Sequence, residues 1–159
     1  IVDYPLGTTF KYSRRNIMGT TTFSGPVKAG TIREGATANV GTLVCAQSAA
    51  ITEAASEAST GIIIPANSQI INFYVLIQTA WDGGTNTLDI GVSGNADLYC
   101  DGLPATVVGN HRVTAAYTGT EANWRDVGTS DVTIYVDSVA AGNGAGVVTV
   151  QYLQNRNLS

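Results

Sequence analysis

The sequence predicts an all-β protein, an antiparallel β-sandwich or jelly-roll-like domain that follows an extended N-terminal arm. Three observations lead to this prediction. Short runs of alternating apolar and polar residues recur from about residue 20, and Gly, Asn, Pro and Ser separate them. Charged residues make up 13% of the chain, and neutral polar residues take their place. The 159 residues suffice for one domain with its own core.

The N-terminal residues differ from the rest of the chain. Residues 1–19, IVDYPLGTTFKYSRRNIMG, contain Pro5 and two glycines and show no sustained period. We therefore predict an extended arm over 1–19 and a single β-sandwich domain over 20–159. Short strands are predicted near 20–24, 27–33 and 38–49.

The strongest local signal lies in residues 61–81. Ile62, Ile63 and Ile64 predict a short strand, and PANS at 65–68 predicts a turn. The following residues, IINFYVLIQ at 70–78, are apolar at both odd and even positions, which is typical of a central strand covered on both sides. A second sheet can supply one cover and a neighbouring subunit the other.

Later elements follow the same logic. Asp82-Gly83-Gly84 predicts the turn of a hairpin, since glycine adopts the positive φ of tight turns. Alternation predicts further strands at 87–92, near 111–117, at 132–136 and at 147–154. The Ala- and Glu-rich stretch 51–60 is open between two helical turns and a surface loop, and AAGNGAG at 140–146 predicts a flexible loop. The total is about eight to ten strands.

Catalytic and metal-binding patterns are weak, and we predict no catalytic residue, no metal and no cofactor. His111 is the single histidine, and GVSGN at 91–95 departs from a nucleophile elbow at its last residue. A calcium site is the one metal-binding alternative. It would use oxygens in turns and strands, but their spacing does not match an EF-hand loop. Those oxygens belong to Asp82, Asn86, Asp89, Asp97 and Asp101.

The two cysteines, Cys45 and Cys100, lie in apolar strand-like contexts. Buried free thiols are therefore favoured over a disulfide, although the sequence leaves both open.

Charge is distributed unevenly. Residues 1–33 hold five cations against one acid, a net +4, whereas residues 34–159 hold three cations against eleven acids, a net −8. A basic segment on an acidic body indicates an arm that docks onto a negative partner. Nucleic acid is disfavoured because the acidic body would repel phosphate. No apolar run approaches the roughly 20 residues of a membrane span.

Residues 62–103, IIIPANSQIINFYVLIQTAWDGGTNTLDIGVSGNADLYCDGL, resemble the small head decoration (cement) proteins of tailed bacteriophages. The matching features are the Pro-Ala-Asn turn, the Ile/Val strand that ends in Thr-Ala-aromatic, the Gly-Gly turn, and Thr-Leu-Asp-Ile-Gly followed by Ala-Asp and Asp-Gly-Leu. The resemblance is clearest over 38–105, and DVTIYVDSV and GVVTVQYLQ near the C-terminus fit the same pattern.

The resemblance implies a structural virion protein without enzymatic activity. Such proteins bind the major capsid protein on the outer surface of the capsid, usually as homotrimers, and cement neighbouring subunits against internal DNA pressure. In this setting we predict that Lys11, Arg14 and Arg15 in the arm contact the capsid. The alternatives are a carbohydrate-binding β-sandwich of a phage fibre or adhesin, with Trp81 or Trp124 as stacking platform, a tail or fibre-anchor protein, and a hydrolase that uses acidic residues.

Overall fold

Two four-stranded antiparallel sheets face each other across one hydrophobic core. The computed structural model describes residues 29–31, 39–41, 44–84, 86–114, 116–117, 119, 121–138 and 140–154. The predicted arm over 1–19 and the predicted strand at 20–24 lie outside these residues. A two-stranded pair precedes the sandwich and consists of β1 (Ala29–Thr31) and β2 (Asn39–Gly41).

The first sheet has the order β3-β10-β5-β8. Its strands are β3 (Val44–Thr52), β10 (Ala145–Gln154), β5 (Ser68–Thr79) and β8 (Gly109–Arg112). The second sheet has the order β4-β9-β6-β7. Its strands are β4 (Ala58–Ile64), β9 (Val132–Asp137), β6 (Thr87–Val92) and β7 (Asn95–Pro104).

This connectivity is that of a jelly roll. From β3 to β10 the chain changes sheet at every connection except between β6 and β7, which form a hairpin. Eight strands arranged in two sheets in this way form the double Greek key of jelly rolls. The predicted fold class is therefore confirmed.

Alternation of side chains builds the core. In β10 every second residue is buried, and Val148, Val150 and Tyr152 point inward as predicted. In β9, Ile134 and Val136 are buried, also as predicted. Opposite faces of one strand thus serve the core and the surface, as expected for antiparallel sheets with one solvated side.

A short helix closes the sandwich on one side. α1 (Glu121–Arg125) carries Trp124, whose ring meets Phe73 of β5 edge-on at a centroid distance of 5.6 Å. The Trp124 indole N–H donates to the Tyr99 carbonyl of β7 at 3.1 Å. One side chain therefore joins both sheets. In the described ranges no helix is long and apolar enough to cross a bilayer.

Three local predictions were wrong. Residues 51–60 form neither helical turns nor one loop, because β3 continues to Thr52 and β4 begins at Ala58. The strand predicted near 111–117 is β8, which ends at Arg112. Asp82-Gly83-Gly84 is not a hairpin turn, since β5 and β6 belong to different sheets.

The hairpin prediction for Asp82-Gly83-Gly84 failed because Gly83 is needed for close packing and not for a tight turn. A Cβ atom on Gly83 would lie 2.4 Å from a carboxylate oxygen of Glu53, so the glycine allows a close approach between loops. The tight hairpin is instead the β6–β7 turn at Ser93 and Gly94, where Gly94 has a φ of 78°.

Candidate interaction surface

The inter-sheet connections at one end of the sandwich meet around Glu53. This carboxylate is only 6% exposed and accepts three backbone N–H groups. Oε1 accepts from Gly83 at 2.7 Å, and Oε2 accepts from Asp82 and Gly144, both at 3.0 Å. The Glu53 N–H in turn donates to the Gly144 carbonyl at 2.9 Å. One buried side chain thus ties the β3–β4, β5–β6 and β9–β10 connections together.

Asp82 and Asn143 add a second link between the same connections. The Asn143 N–H donates to Asp82 Oδ1 at 2.8 Å, and its side-chain amide donates to Oδ2 at 3.0 Å. These bonds, the side-chain one first, hold the pKa of Asp82 below its ordinary value. Ser138 links the β9–β10 connection to Ala54, accepting its N–H at 2.7 Å.

Glycines of the β9–β10 connection permit this packing. A Cβ atom on Gly142 would lie 2.2 Å from Glu53 Oε2, and one on Gly144 would lie 2.0 Å from the buried ring of Trp81. The loop predicted to be flexible is therefore held by hydrogen bonds and close contacts. We call Glu53, Asp82, Ser138, Asn143 and Gly144 the loop clamp. Its carboxylates are occupied by backbone and amide N–H groups, so its role is structural.

The oxygens of the calcium alternative do not converge. Asp82 is part of the loop clamp, whereas Asp89 lies on β6 and accepts the Gly102 N–H at 2.6 Å. Within the described residues, no group of three or more His, Cys, Asp and Glu side chains is arranged to hold a metal ion.

Acidic residues instead spread over the outer side of the second sheet. Asp89 and Asp137 are directly paired between β6 and β9, and Asp97 and Asp101 lie on β7. Partial burial raises the pKa of Asp89, and the charges of Asp101, Asp137 and Asp97 raise it further. We call these four residues the acidic face.

The outer side of the first sheet has the opposite character. The strands β3, β10 and β5 contain no Asp, Glu, Lys or Arg, and β8 contributes only Arg112. Ile71, Tyr74 and Leu76 point outward from β5 and are 39%, 38% and 36% exposed. Among the residues that the structure describes, the second sheet covers one side of β5, as predicted. The predicted second cover is not seen among these residues. We call this surface the neutral face. It comprises the outward residues of the sheet, among them Val44, Ser48, Ile71, Tyr74, Leu76 and Thr149.

The residues that a sugar-binding site or a catalytic site would use are buried or already hydrogen-bonded. Trp81 is buried under Gly144, and Trp124 is packed between Phe73 and Tyr99, so neither offers an open ring for a sugar. His111 Nε2 lies 2.7 Å from the Val107 carbonyl oxygen and is thus engaged with backbone. A shallow groove of about 410 Å³ beside β9 contains Asp131, which already accepts the Ala66 N–H at 2.9 Å.

Both cysteines are free thiols. Cys100 is buried, and burial together with the nearby charge of Asp89 raises its pKa to about 12. Cys45 is half-buried on the edge strand β3. Of the two thiols that the sequence left open between free and paired, only Cys100 is fully buried.

The predicted capsid contacts Lys11, Arg14 and Arg15 lie outside the described residues and remain predictions. Sequence reasoning missed two features, namely the loop clamp and the exposure of the neutral face. A hydrophilic Glu53 between Thr52 and Ala54 carries no local sign of burial. The neutral face had a signal, since β5 is apolar at both odd and even positions and its flanking strands lack charge.

No protein-family model matches the sequence, and no curated protein matches it. Similar folds occur in solved phage capsid structures. One is a chain of the acidic stable capsid structure of Helicobacter pylori bacteriophage KHP30, at 13% identity and a TM-score of 0.49, with 70% of this chain and 87% of that chain covered. Another is a chain of the cyanophage Pam1 capsid asymmetric unit, at 19% identity and a TM-score of 0.46, with 86% and 99% covered. At these identities the likeness concerns the fold alone.

Proposed function

We propose that this chain is a structural virion protein that binds the outer surface of a phage capsid and cements neighbouring major capsid proteins. The neutral face carries the proposal. A sheet face with a single charged residue, Arg112, and with apolar residues on its inner strand β5 is suited to contact with other protein rather than with water. The resemblance of residues 62–103 to head decoration proteins supplies the partner and the setting.

The loop clamp suits this role because a cement protein acts through a fixed shape. Many modest contacts that are repeated over a shell add up to strong attachment when each unit is rigid and multivalent. We propose a homotrimer as the unit, with no catalytic role, no cofactor and no direct contact with nucleic acid.

The basic N-terminal segment supplies the second element of the proposal. Lys11, Arg14 and Arg15 lie in residues 1–19, ahead of a body with a net charge of −8 over residues 34–159. We propose that residues 1–19 extend along the capsid and that these three side chains contact acidic groups of the shell. Such contacts between exposed charges weaken with rising salt.

The test measures the copy number of the protein relative to the major capsid protein in purified particles. A cement protein is expected at a number comparable with that of the major capsid protein, and a fibre or tail-anchor protein at a far smaller one. A low copy number, or absence from intact heads, would contradict the proposal.

The role of the arm is tested by rebinding purified protein to capsids that lack it. Deletion of residues 1–19, or Lys11→Gln with Arg14→Gln and Arg15→Gln, is expected to lower occupancy and its salt dependence. Lys28→Gln with Arg33→Gln is the control, because it removes basic charge outside the arm. Full occupancy after the deletion would exclude the arm from capsid binding while leaving the cement role intact.

A further inference from the structure

We infer that the neutral face is the surface through which neighbouring copies of this chain associate. The inference deepens the proposed function, which places copies of the chain side by side on a shell, and it rests on that function for its setting. It identifies which side of the sandwich faces the next copy.

The composition of the face first indicates contact with protein. On an antiparallel sheet with one solvated side, outward positions are normally polar. On β5 the outward positions carry Ile71, Tyr74 and Leu76 instead. On one side of β5, β10 places Thr149 opposite Tyr74, and β3 places Ser48 opposite Thr149. On the other side, β8 places Asn110 opposite Leu76 and Arg112 opposite Tyr74. The apolar side chains of this face therefore lie along β5, an inner strand of the sheet.

Charge favours the neutral face over the acidic face as the side that meets a second copy. The outer side of the second sheet carries the acidic face, so a contact between the acidic faces of two copies would bring like charges together. Residues 1–33 have a net charge of +4, and the neutral face offers no acidic side chain among its described strands. The neutral face carries one charged side chain, Arg112, opposite Tyr74. It is therefore the side on which a neighbouring copy meets less like charge than on the acidic face.

The size of the face fits a weak interface that repetition reinforces. Three strands of at least nine residues measure about 30 Å by 14 Å, and β8 adds a further four residues. This area is well below the ~800 Å² per partner of a standard protein interface. We therefore expect reversible association in solution that becomes firm when several copies are held on one shell.

The edge of the face is compatible with this arrangement. Among the described strands, β3 pairs only with β10, so its other edge is open. This nine-residue edge strand has no charged residue and no proline, the features that usually protect an edge from pairing with another chain.

Sedimentation velocity of the full chain over a range of concentrations tests the inference. We expect reversible association of the unaltered protein and an increase of about a hundredfold or more in the dissociation constant for Leu76→Asp, because the new carboxylate would be buried without a partner. Val107→Asp is the matched control. It adds the same charge at a 63% exposed valine in the β7–β8 connection, outside the strands of the neutral face, and is expected to associate like the unaltered protein.

Circular dichroism and the unfolding midpoint establish that each variant is folded. If Leu76→Asp does not fold, Ala50→Asp places the same charge on the neutral face at an exposed position of β3. Either folded variant that associates as tightly as the unaltered protein overturns the inference.

Two further outcomes also overturn it. One is an unaltered protein that stays monomeric at every concentration, and the other is association that is lost on deletion of residues 1–28 but retained in Leu76→Asp.

Capsid binding is scored separately. An unaltered protein that is monomeric but loses capsid occupancy in Leu76→Asp assigns the face to the capsid and keeps the proposed function. If self-association depends on Leu76 but the protein does not bind capsids, the inferred interface stands and the proposed function is contradicted.

Discussion

Glu53 is a charged residue whose partners are backbone N–H groups rather than cations. Its three bonds reach loop residues that are 29, 30 and 91 positions away in the sequence. A carboxylate has lone pairs for all three donors, whereas a glutamine has one carbonyl oxygen and an NH₂ group that accepts nothing.

Glu53→Gln is therefore expected to lower the free energy of unfolding by about 1–3 kcal/mol, because at least one buried N–H loses its acceptor. Urea unfolding followed by circular dichroism measures the change. Glu57→Gln is the matched control. Among the described residues, the Glu57 carboxylate accepts the Gly94 N–H alone, at 3.0 and 3.1 Å, and a glutamine oxygen can replace it. Equal effects of the two substitutions would show that the loop clamp adds nothing beyond a single exposed hydrogen bond.

At the scale of elements, the second sheet holds acidic groups close together on β6, β7 and β9. Asp89 illustrates the consequence, since partial burial and then the neighbouring carboxylates raise its pKa above 3.8 in the folded protein. The folded state therefore binds this proton more tightly than the unfolded state. It follows that Asp89 lowers the stability as the pH rises from 3.8 through the raised pKa.

Asp89→Asn is expected to stabilise the protein at neutral pH by less than about 1 kcal/mol, because solvent screens half-buried charges. The asparagine oxygen still accepts the Gly102 N–H, so no bond is lost. The gain should disappear below the ordinary pKa of 3.8, where the carboxyl is neutral in both states. Urea midpoints of the two proteins across pH give the difference, and Asp131→Asn serves as a control outside the acidic face. A gain that is unchanged at acidic pH would point to packing rather than charge.

Period-two alternation predicted the strands and their inward residues well. Ile134 and Val136 in β9 and Val148 and Val150 in β10 are buried, because a strand that borders one core must alternate. Sheet membership was harder to predict. A Gly-Gly turn has the same local chemistry whether the chain returns in one sheet or crosses to the other, and the pairing partners of β5 and β6 lie far away in sequence.

The candidate surface was predicted only in part. The apolar character of residues 70–78 on both faces indicated a second cover for β5, and the exposed side chains Ile71, Tyr74 and Leu76 are consistent with it. The loop clamp was not predictable, since the burial of Glu53 depends on N–H groups that only the complete fold brings to it.

At the scale of the whole molecule, no disulfide bond joins the two sheets through Cys45 and Cys100. Cys45 belongs to β3 of the first sheet and Cys100 to β7 of the second, and both are free. The sheets are joined instead by the core and by bridging side chains. One is Trp124, and another is Gln47, whose amide donates to the Ile63 carbonyl of β4 at 2.7 Å and to the Tyr152 hydroxyl of β10 at 2.9 Å.

Cys100 consequently reports on the opening of the entire sandwich. Its thiol is buried in the core and its pKa is raised to about 12, chiefly by burial, so the folded protein presents almost no reactive thiolate there.

We expect a thiol reagent to modify Cys45 quickly and Cys100 at least about a thousandfold more slowly than in the unfolded chain, as global unfolding energies of ~5–15 kcal/mol imply. The rate at Cys100 should rise with urea in parallel with global unfolding, whereas the rate at Cys45 should change little until the midpoint. Mass spectrometry of digested samples separates the two sites, and a reducing agent should leave the unfolding midpoint unchanged. Rapid modification of Cys100 in the absence of urea would mean that the sheets separate, or that β7 detaches, without unfolding of the rest.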